Sequence, residues 1–229
     1  MKYISLLALI SIAAMALLSG CAAGPVTSAE AANDKLPLPP PQKDSETSIE
    51  EALLGRQSVR DFTGTTVSLQ QLSQLCWAAQ GVTHGTGRTA PSAGGLYPLR
   101  VYAVVGNVEN LTAGVYLYDP VTHTFNRLIE GDLRESLSKA ALSQRSVKQA
   151  PVDFVITGNY GVVTPRYSDR AERYTHLEAG HASQNICLQA VGLNLGVVTI
   201  GAFDDDAVRK VLKLSEDETP LYIIPAGNY

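Results

Sequence analysis

Three stretches of this chain are apolar almost without a break: DFVITGNY at 153–160, GVVTIG at 196–201 and LYIIPAG at 221–227. A strand with one face in water alternates polar and apolar residues, whereas an unbroken apolar run has both faces covered. Such strands need helices above and below them, which narrows the choice of fold to a sheet with helical layers. Helix signals are present. SIEEALLGR (48–56) has a Ser cap and two Glu in its first turn. SLQQLSQLCWAAQG (68–81) spaces Leu69, Leu72, Leu75 and Cys76 helically and stops at Gly81. GDLRESLSKAAL (131–142) is amphipathic, a long helix is expected from about Ser168 to Leu193, and a short one from Asp204 to Leu212. VYAVVG (101–106), GVYLYD (114–119) and TFNRLI (124–129) are β-rich and broken by turn residues, as successive antiparallel strands would be. The expected class is α+β, with a mixed central sheet flanked by helices and no internal repeat.

The ends of the chain read differently. Residues 1–21, MKYISLLALISIAAMALLSGC, run from Lys2 through an apolar stretch, Ile4–Leu18, to small residues and Cys21. That order is a secretory signal, and the stretch is shorter than the roughly 20 residues a membrane span needs. LLSGC resembles a bacterial lipobox, which makes Cys21 the expected lipidated first residue of the mature chain. The anchor would hold the protein on a membrane surface, outside the cytoplasm in the cell envelope. Residues 22–47 contain LPLPPPQ and few large apolar groups, and are expected to be a disordered Pro-rich linker. The folded domain is expected over 48–229, enough for one core. A net charge of −4 gives no support for nucleic-acid binding. Besides Cys21 the chain has only Cys76 and Cys187, both in helix-like segments. Two buried thiols are expected, with a bridge left open in an exported chain.

Several motifs fail for want of context. Gly85-x-Gly87-x-x-Ala90 matches a dinucleotide fingerprint, but a helix rather than a strand precedes it. Ser136-x-x-Lys139 lacks the companion boxes of penicillin-binding enzymes. His176 and His181 are five helical residues apart, so they point about 140° from one another and cannot share a metal ion.

Three other stretches support one another. RQSVRDF (56–62) offers Arg56, Ser58 and Arg60 just after a helix; alone it would be a solvated basic turn, but it also suits a phosphate. PSAGGLYP (91–98) is a loop of small residues between prolines, which lets a flat or charged group approach the backbone. In YTHLEAGHASQNICLQAVGLNLGVVTIGAF (174–203), Tyr174, Glu178, His181, Asn185 and Leu188 share a helix face beside Ala179, Gly180, Ala182 and Ser183. A buried amphipathic helix with a few satisfied polar groups would look the same.

Taken in order, these stretches, with IGAFDD and the terminal LYIIPAG, resemble the FMN-dependent nitroreductase family over about Ser48–Asn228, nearest its thiazoline/oxazoline dehydrogenase-like branch. The resemblance implies an FMN oxidoreductase that passes hydride between flavin N5 and a small-molecule or peptide substrate. It also implies a homodimer with flavin at the subunit interface and the small-faced helix as the contact. Arg56 and Ser58 would hold the FMN phosphate, and Arg60 would lie near the ribityl chain and the N1/O2 edge. Pro91, Ser92, Ala93 and Gly94 would line the ring, and Gly201 and Ala202 would present N–H groups to N5 and O4. Tyr174 and His181 are the candidate proton donors. Family members often carry a Lys or Arg pair after the last strand, where this sequence has Gly227-Asn228-Tyr229; Arg166, Arg170 and Arg173 are the candidate substitutes. The branch's catalytic Lys–Tyr pair corresponds to Arg173-Tyr174, and Arg is no base near neutral pH. Nicotinamide is scarce outside the cytoplasm, so a quinone, a redox protein or dioxygen is the expected electron partner. The rival reading is a non-catalytic envelope module that kept the fold.

Overall fold

Ser48, the expected cap, and Ser68 likewise close complete capping boxes in the computed structural model, which describes residues 35–229. Ser48 Oγ accepts from the Glu51 amide while the Glu51 carboxylate accepts from the Ser48 amide, starting α1 (Ile49–Gly55). Ser68 and Gln71 repeat the exchange for α2 (Leu69–Gln80). Each box satisfies two amides that a helix start otherwise leaves without acceptors. The signal segment, Cys21 and the linker up to residue 34 lie outside the described residues.

The strands are β1 (Lys35–Pro37), β2 (Leu99–Val105), β3 (Gly114–Asp119), β4 (Thr124–Glu130), β5 (Val152–Gly158), β6 (Gly196–Val197) and β7 (Thr219–Gly227). They form one sheet in the order β1-β4-β3-β2-β5-β7-β6. Every ladder between these strands is antiparallel; the parallel component of the expected mixed sheet is confined to single bridges, Ser58 with Val197 and Val67 with Val108. The remaining helices are α3 (Arg134–Ala140), α4 (Arg145–Gln149), α5 (Tyr160–Tyr167), α6 (Ala171–Gly192) and α7 (Asp205–Leu212).

The unbroken apolar run at 153–160 behaves as its composition requires. All seven residues of β5 are buried. Phe154 and Ile156 join the core that also holds Leu72, Leu75, Cys76 and Ile186 of α2 and α6. Val155 joins the opposite core with Leu137, Val147, Val208 and Leu212 of α3, α4 and α7. Cys76 and Cys187 are buried, unpaired thiols.

Three local expectations are corrected. The long helix begins at Ala171 instead of Ser168, because Ser168 adopts a left-handed φ of 47° and separates it from α5. The strand at 196–201 shortens to two residues plus one bridge, Ile200 with Ile223, since the chain turns away from β7 to reach α7. Residues 35–47, expected within the disordered linker, lie against the domain. β1 pairs with β4, Leu38 is buried, and Ser73 Oγ donates to the Pro39 carbonyl at 2.6 Å. Gln74 exchanges two hydrogen bonds with the Gln42 backbone. Prolines lack N–H donors but keep their carbonyls, so an edge position with polar side chains opposite suits them.

One buried group is out of place. Asp153 of β5 is fully buried on the α3–α4 side, and neither carboxylate oxygen has a hydrogen-bond partner among the described residues. Burial pushes its pKa well above the ordinary value, only partly opposed by nearby Arg134. A raised native pKa means stability that is complete below the unfolded value and falls as pH rises towards the native one. Asp153→Asn is therefore expected to gain stability over the wild type as pH rises from acid to neutral. Urea midpoints compared at several pH values would measure this, and a constant difference would contradict it.

Candidate functional site

The loop at 91–98 is held from beneath by a buried carboxylate. A short 3₁₀ turn spans Ala93–Gly95, with Gly94 at φ 62°. Ser92 Oγ accepts from the Tyr97 amide at 2.8 Å, and Tyr97 itself takes a left-handed φ of 51°. The Tyr97 hydroxyl accepts from the Arg88 amide at 3.2 Å, while the Arg88 guanidinium lies 4.3 Å above the Tyr97 ring. Arg88 Nη1 donates to Gln80 Oε1 at 2.9 Å, and Gln80 Nε2 donates to Glu178 of α6 at 3.4 Å. Glu178 is 2 % exposed. A Cβ on Gly94 would come within 2.7 Å of Arg166 Nη1 and 2.9 Å of the Tyr167 hydroxyl, so a side chain there would have to displace the α5 residues under the loop. Arg166, one of the three candidate substitutes for a terminal base, donates to the Gly94 carbonyl at 3.2 Å and so belongs to this loop.

Burial pushes the Glu178 pKa up to about 7, against the opposing pull of Ser92, Gln80 and Arg88. Its contribution to stability is complete below the unfolded carboxylate value of about 4.3 and is lost as pH rises through about 7. Wild-type stability is thus expected to decline more steeply than that of Glu178→Gln between about pH 5 and 8. Parallel urea midpoints across that window would test it; identical slopes would exclude Glu178 as the source.

The clamp and the strand end stand elsewhere. Arg56 is the C-terminal cap of α1, its charge reaches Cys187 of α6, and the Val59 amide donates to the Val197 carbonyl at 2.9 Å. Arg56, Ser58 and Arg60 are all exposed, and their side chains have no hydrogen-bond or ion-pair partner among the described residues. Thr199 lies within 3.2 Å of Ser183 Oγ and 3.5 Å of Cys187 Sγ, which carries the chain along α6 to Gly201. Gly201 and Ala202 are exposed, and among the described residues their amides meet no acceptor. The Ala202 carbonyl accepts from Gln144 at 3.0 Å. Two guanidiniums, a hydroxyl and two bare amides, all unpaired among the described residues, suit an anionic group carrying a flat ring with acceptors, and so fit FMN.

Helix α6 separates these two half-sites. Glu178 faces the loop and Cys187 faces the clamp side; nine residues of helix place them about 180° apart. Asn185, whose side chain donates to the Thr89 carbonyl, lies on the loop flank, and Ser183 lies on the strand flank. Between the flanks runs a ridge of exposed Leu177, His181 and Gln184, with Leu177 54 % exposed, around the half-buried Gly180. Arg56, Ser58, Gly201 and Ala202 are therefore brought to one flank, and Pro91, Ser92, Ala93 and Gly94 to the other. Of the candidate proton donors, Tyr174 packs edge-on against Tyr167 on the loop flank at 5.1 Å, and His181 stands on the ridge. Neither lines the cavity that contains Gly201.

That cavity, about 640 Å³, is bordered instead by His176 and Tyr160, whose hydroxyl is 2.8 Å from His176 Nε2. In the sequence His176 stands out only as half of a histidine pair that cannot share a metal ion, and Glu178, Gln80, Arg88 and Tyr160 carry no motif that assigns them a role. A Glu four residues after a Tyr on a helix whose neighbours are Ala and Gly was the available signal for Glu178, because a charge there has no water around it.

The sequence model of the nitroreductase family matches residues 53–228. The Methanocaldococcus jannaschii protein MJ1384, assigned by name to the nitroreductases, is 40 % identical over 183 residues, covering 80 % of this chain and 91 % of its own. A crystal structure from Ralstonia eutropha, likewise assigned by name to the nitroreductases, superposes with a TM-score of 0.74 at 30 % identity over 85 % of this chain and 89 % of that one. The Escherichia coli microcin synthetase complex McbBCD, solved with a truncated microcin precursor, shares the fold at a TM-score of 0.66 and 22 % identity, over 92 % and 84 % of the two chains.

Proposed function

This chain belongs to the nitroreductase family of FMN-dependent oxidoreductases, and from that premise we propose that two copies of it together build each flavin site. The observation that carries the reading is the placement of the half-sites on opposite flanks of α6. One chain cannot lay both on a single ring, whereas two copies packed ridge to ridge bring the clamp of one beside the loop of the other. The ridge with exposed Leu177 and half-buried Gly180 is the contact surface. A gap in the side chains at Gly180, where a Cβ would meet nothing within 4 Å, lets the second helix approach.

In this arrangement Arg56 and Ser58 hold the phosphate, and Arg60 places positive charge near the N1/O2 edge. Gly94 and its neighbours support the ring face, and the Gly201 and Ala202 amides point at its N5/O4 edge. Bound FMN supplies the hydride acceptor and donor. The chain's own contribution is orientation and fixed charge, with bare amides that need no rearrangement when the ring arrives. Tyr174 and His181 are the proton donors of this reading only if the loop flank and ridge of the second copy bring them to the ring, since neither lines the cavity at Gly201. The substrate is a small molecule or peptide. The lipobox supports a tether through Cys21 and a place in the envelope, and from that a quinone or redox protein as electron partner. Turnover with NADPH matching the best quinol would remove that last element.

Subunit complementation tests the shared site. Arg56→Ala/Arg60→Ala and Gly94→Val are each expected to lose FMN binding, read from the shift of the flavin absorption bands on titration. Mixed by unfolding and refolding, the two variants are expected to recover about a quarter of the sites, because hybrid dimers hold one intact and one doubly damaged site. A mixture that recovers nothing, while each variant gives a native circular dichroism spectrum, would put clamp and loop of one chain in the same site and refute the shared one. No flavin binding by the unaltered protein would favour the non-catalytic reading.

A further inference from the structure

The cavity beside Gly201 has a chemistry unlike the rest of the half-site. Its walls are aromatic: Tyr160, Phe203, Tyr222 and the His176 ring. The Tyr160 and His176 rings meet edge to face, with centroids 5.7 Å apart, and their 2.8 Å hydrogen bond fixes both. Glu172, in the first turn of α6, and Asp205, in the first turn of α7, line it as well. Neither carboxylate has a cationic partner within ion-pair distance among the described residues, and no Lys or Arg lines the cavity.

On the reading that Gly201 faces the flavin, we infer that this cavity is the substrate pocket and that it selects flat, positively charged molecules. A planar cation gains twice there. Its ring stacks on the aromatic walls, where the π faces attract positive charge within about 6 Å. Its charge also answers two carboxylates that have no ion-pair partner among the described residues. A planar anion of the same shape would meet both carboxylates with no Lys or Arg among the lining residues, a repulsion that adds to the discrimination. The Tyr160 hydroxyl feels the same field: burial first, then Glu172 and Asp205, raise its pKa, so it remains a hydrogen-bond donor at the rim. The volume of about 640 Å³ accommodates a two-ring compound with room for solvent.

The test uses two probes of equal size and opposite charge, 1-methylquinolinium and quinoline-2-carboxylate. Calorimetric titration is run on the full protein with and without FMN. The cation is expected to bind at least about tenfold more tightly than the anion, the equivalent of 1.4 kcal/mol. Glu172→Gln/Asp205→Asn is expected to abolish that preference and leave FMN affinity unchanged. Equal binding of the two probes would overturn the inference, as would a preference that survives the double variant. Loss of FMN along with cation binding in the double variant would also overturn it, by assigning the cavity to the cofactor. Cation selectivity in a protein that takes no FMN would leave the cavity's preference standing and refute the flavin reading alone.

Discussion

Glu218→Ala is expected to destabilise this protein by about 2–4 kcal/mol, read as a lower urea midpoint with an unchanged slope. Glu218 is 1 % exposed and sits immediately before β7, where four side chains donate to it. The Tyr102 hydroxyl reaches it at 2.6 Å, Arg100 Nη1 at 2.7 Å, Ser215 Oγ at 2.8 Å and Thr157 Oγ1 at 2.9 Å. The carboxylate thus ties β2, β5 and the turn before β7 to one another. Its removal strands the buried hydroxyls of Tyr102 and Thr157, and an unpaired buried donor costs more than an ordinary hydrogen bond gains. Arg100 is half exposed and can turn to water, so its share of the loss is small. Glu218→Gln keeps the shape and two acceptor lone pairs, and should retain most of the stability that alanine loses. A change below about 1 kcal/mol for alanine would mean that water enters and replaces the carboxylate.

Arg56→Ala/Arg60→Ala should do the reverse, leaving stability alone and removing the cofactor. Both side chains are exposed and unpartnered among the described residues, so their loss should stay within about 0.5 kcal/mol in urea denaturation. Two charge-assisted contacts to phosphate and ring are together worth about 3–6 kcal/mol, which raises the FMN dissociation constant by about 100-fold or more. An affinity within threefold of the wild type would disprove the clamp.

The two proposed half-sites are both legible in local sequence. Arg56, Ser58 and Arg60 sit within five residues, and PSAGGLYP within eight, so each is visible as a short pattern of residue types. The capping serines, the caps' Glu51 and Gln71, and the buried run of β5 are visible for the same reason: their partners are within a few residues or their composition excludes water. The α5 helix escaped notice because GVVTP combines β-branched residues with Pro165, and its formation depends on packing against α6. The ordered prolines at 37–41 escaped because what holds them, Ser73, Gln74 and β4, is more than thirty residues away.

By itself the sequence determined the layers of the fold, which follow from periodicity, and offered the short motifs whose resemblance pointed to the family and to the residues expected at a flavin. Only the tertiary structure decided what those residues face. It put Glu178 under the loop, set Tyr160 and His176 beside Gly201, and divided clamp from loop across α6. The physical reason is the helix itself. A turn of 100° per residue sends side chains a few positions apart in different directions, and which direction is core, ridge or cavity depends on contacts made by distant parts of the chain.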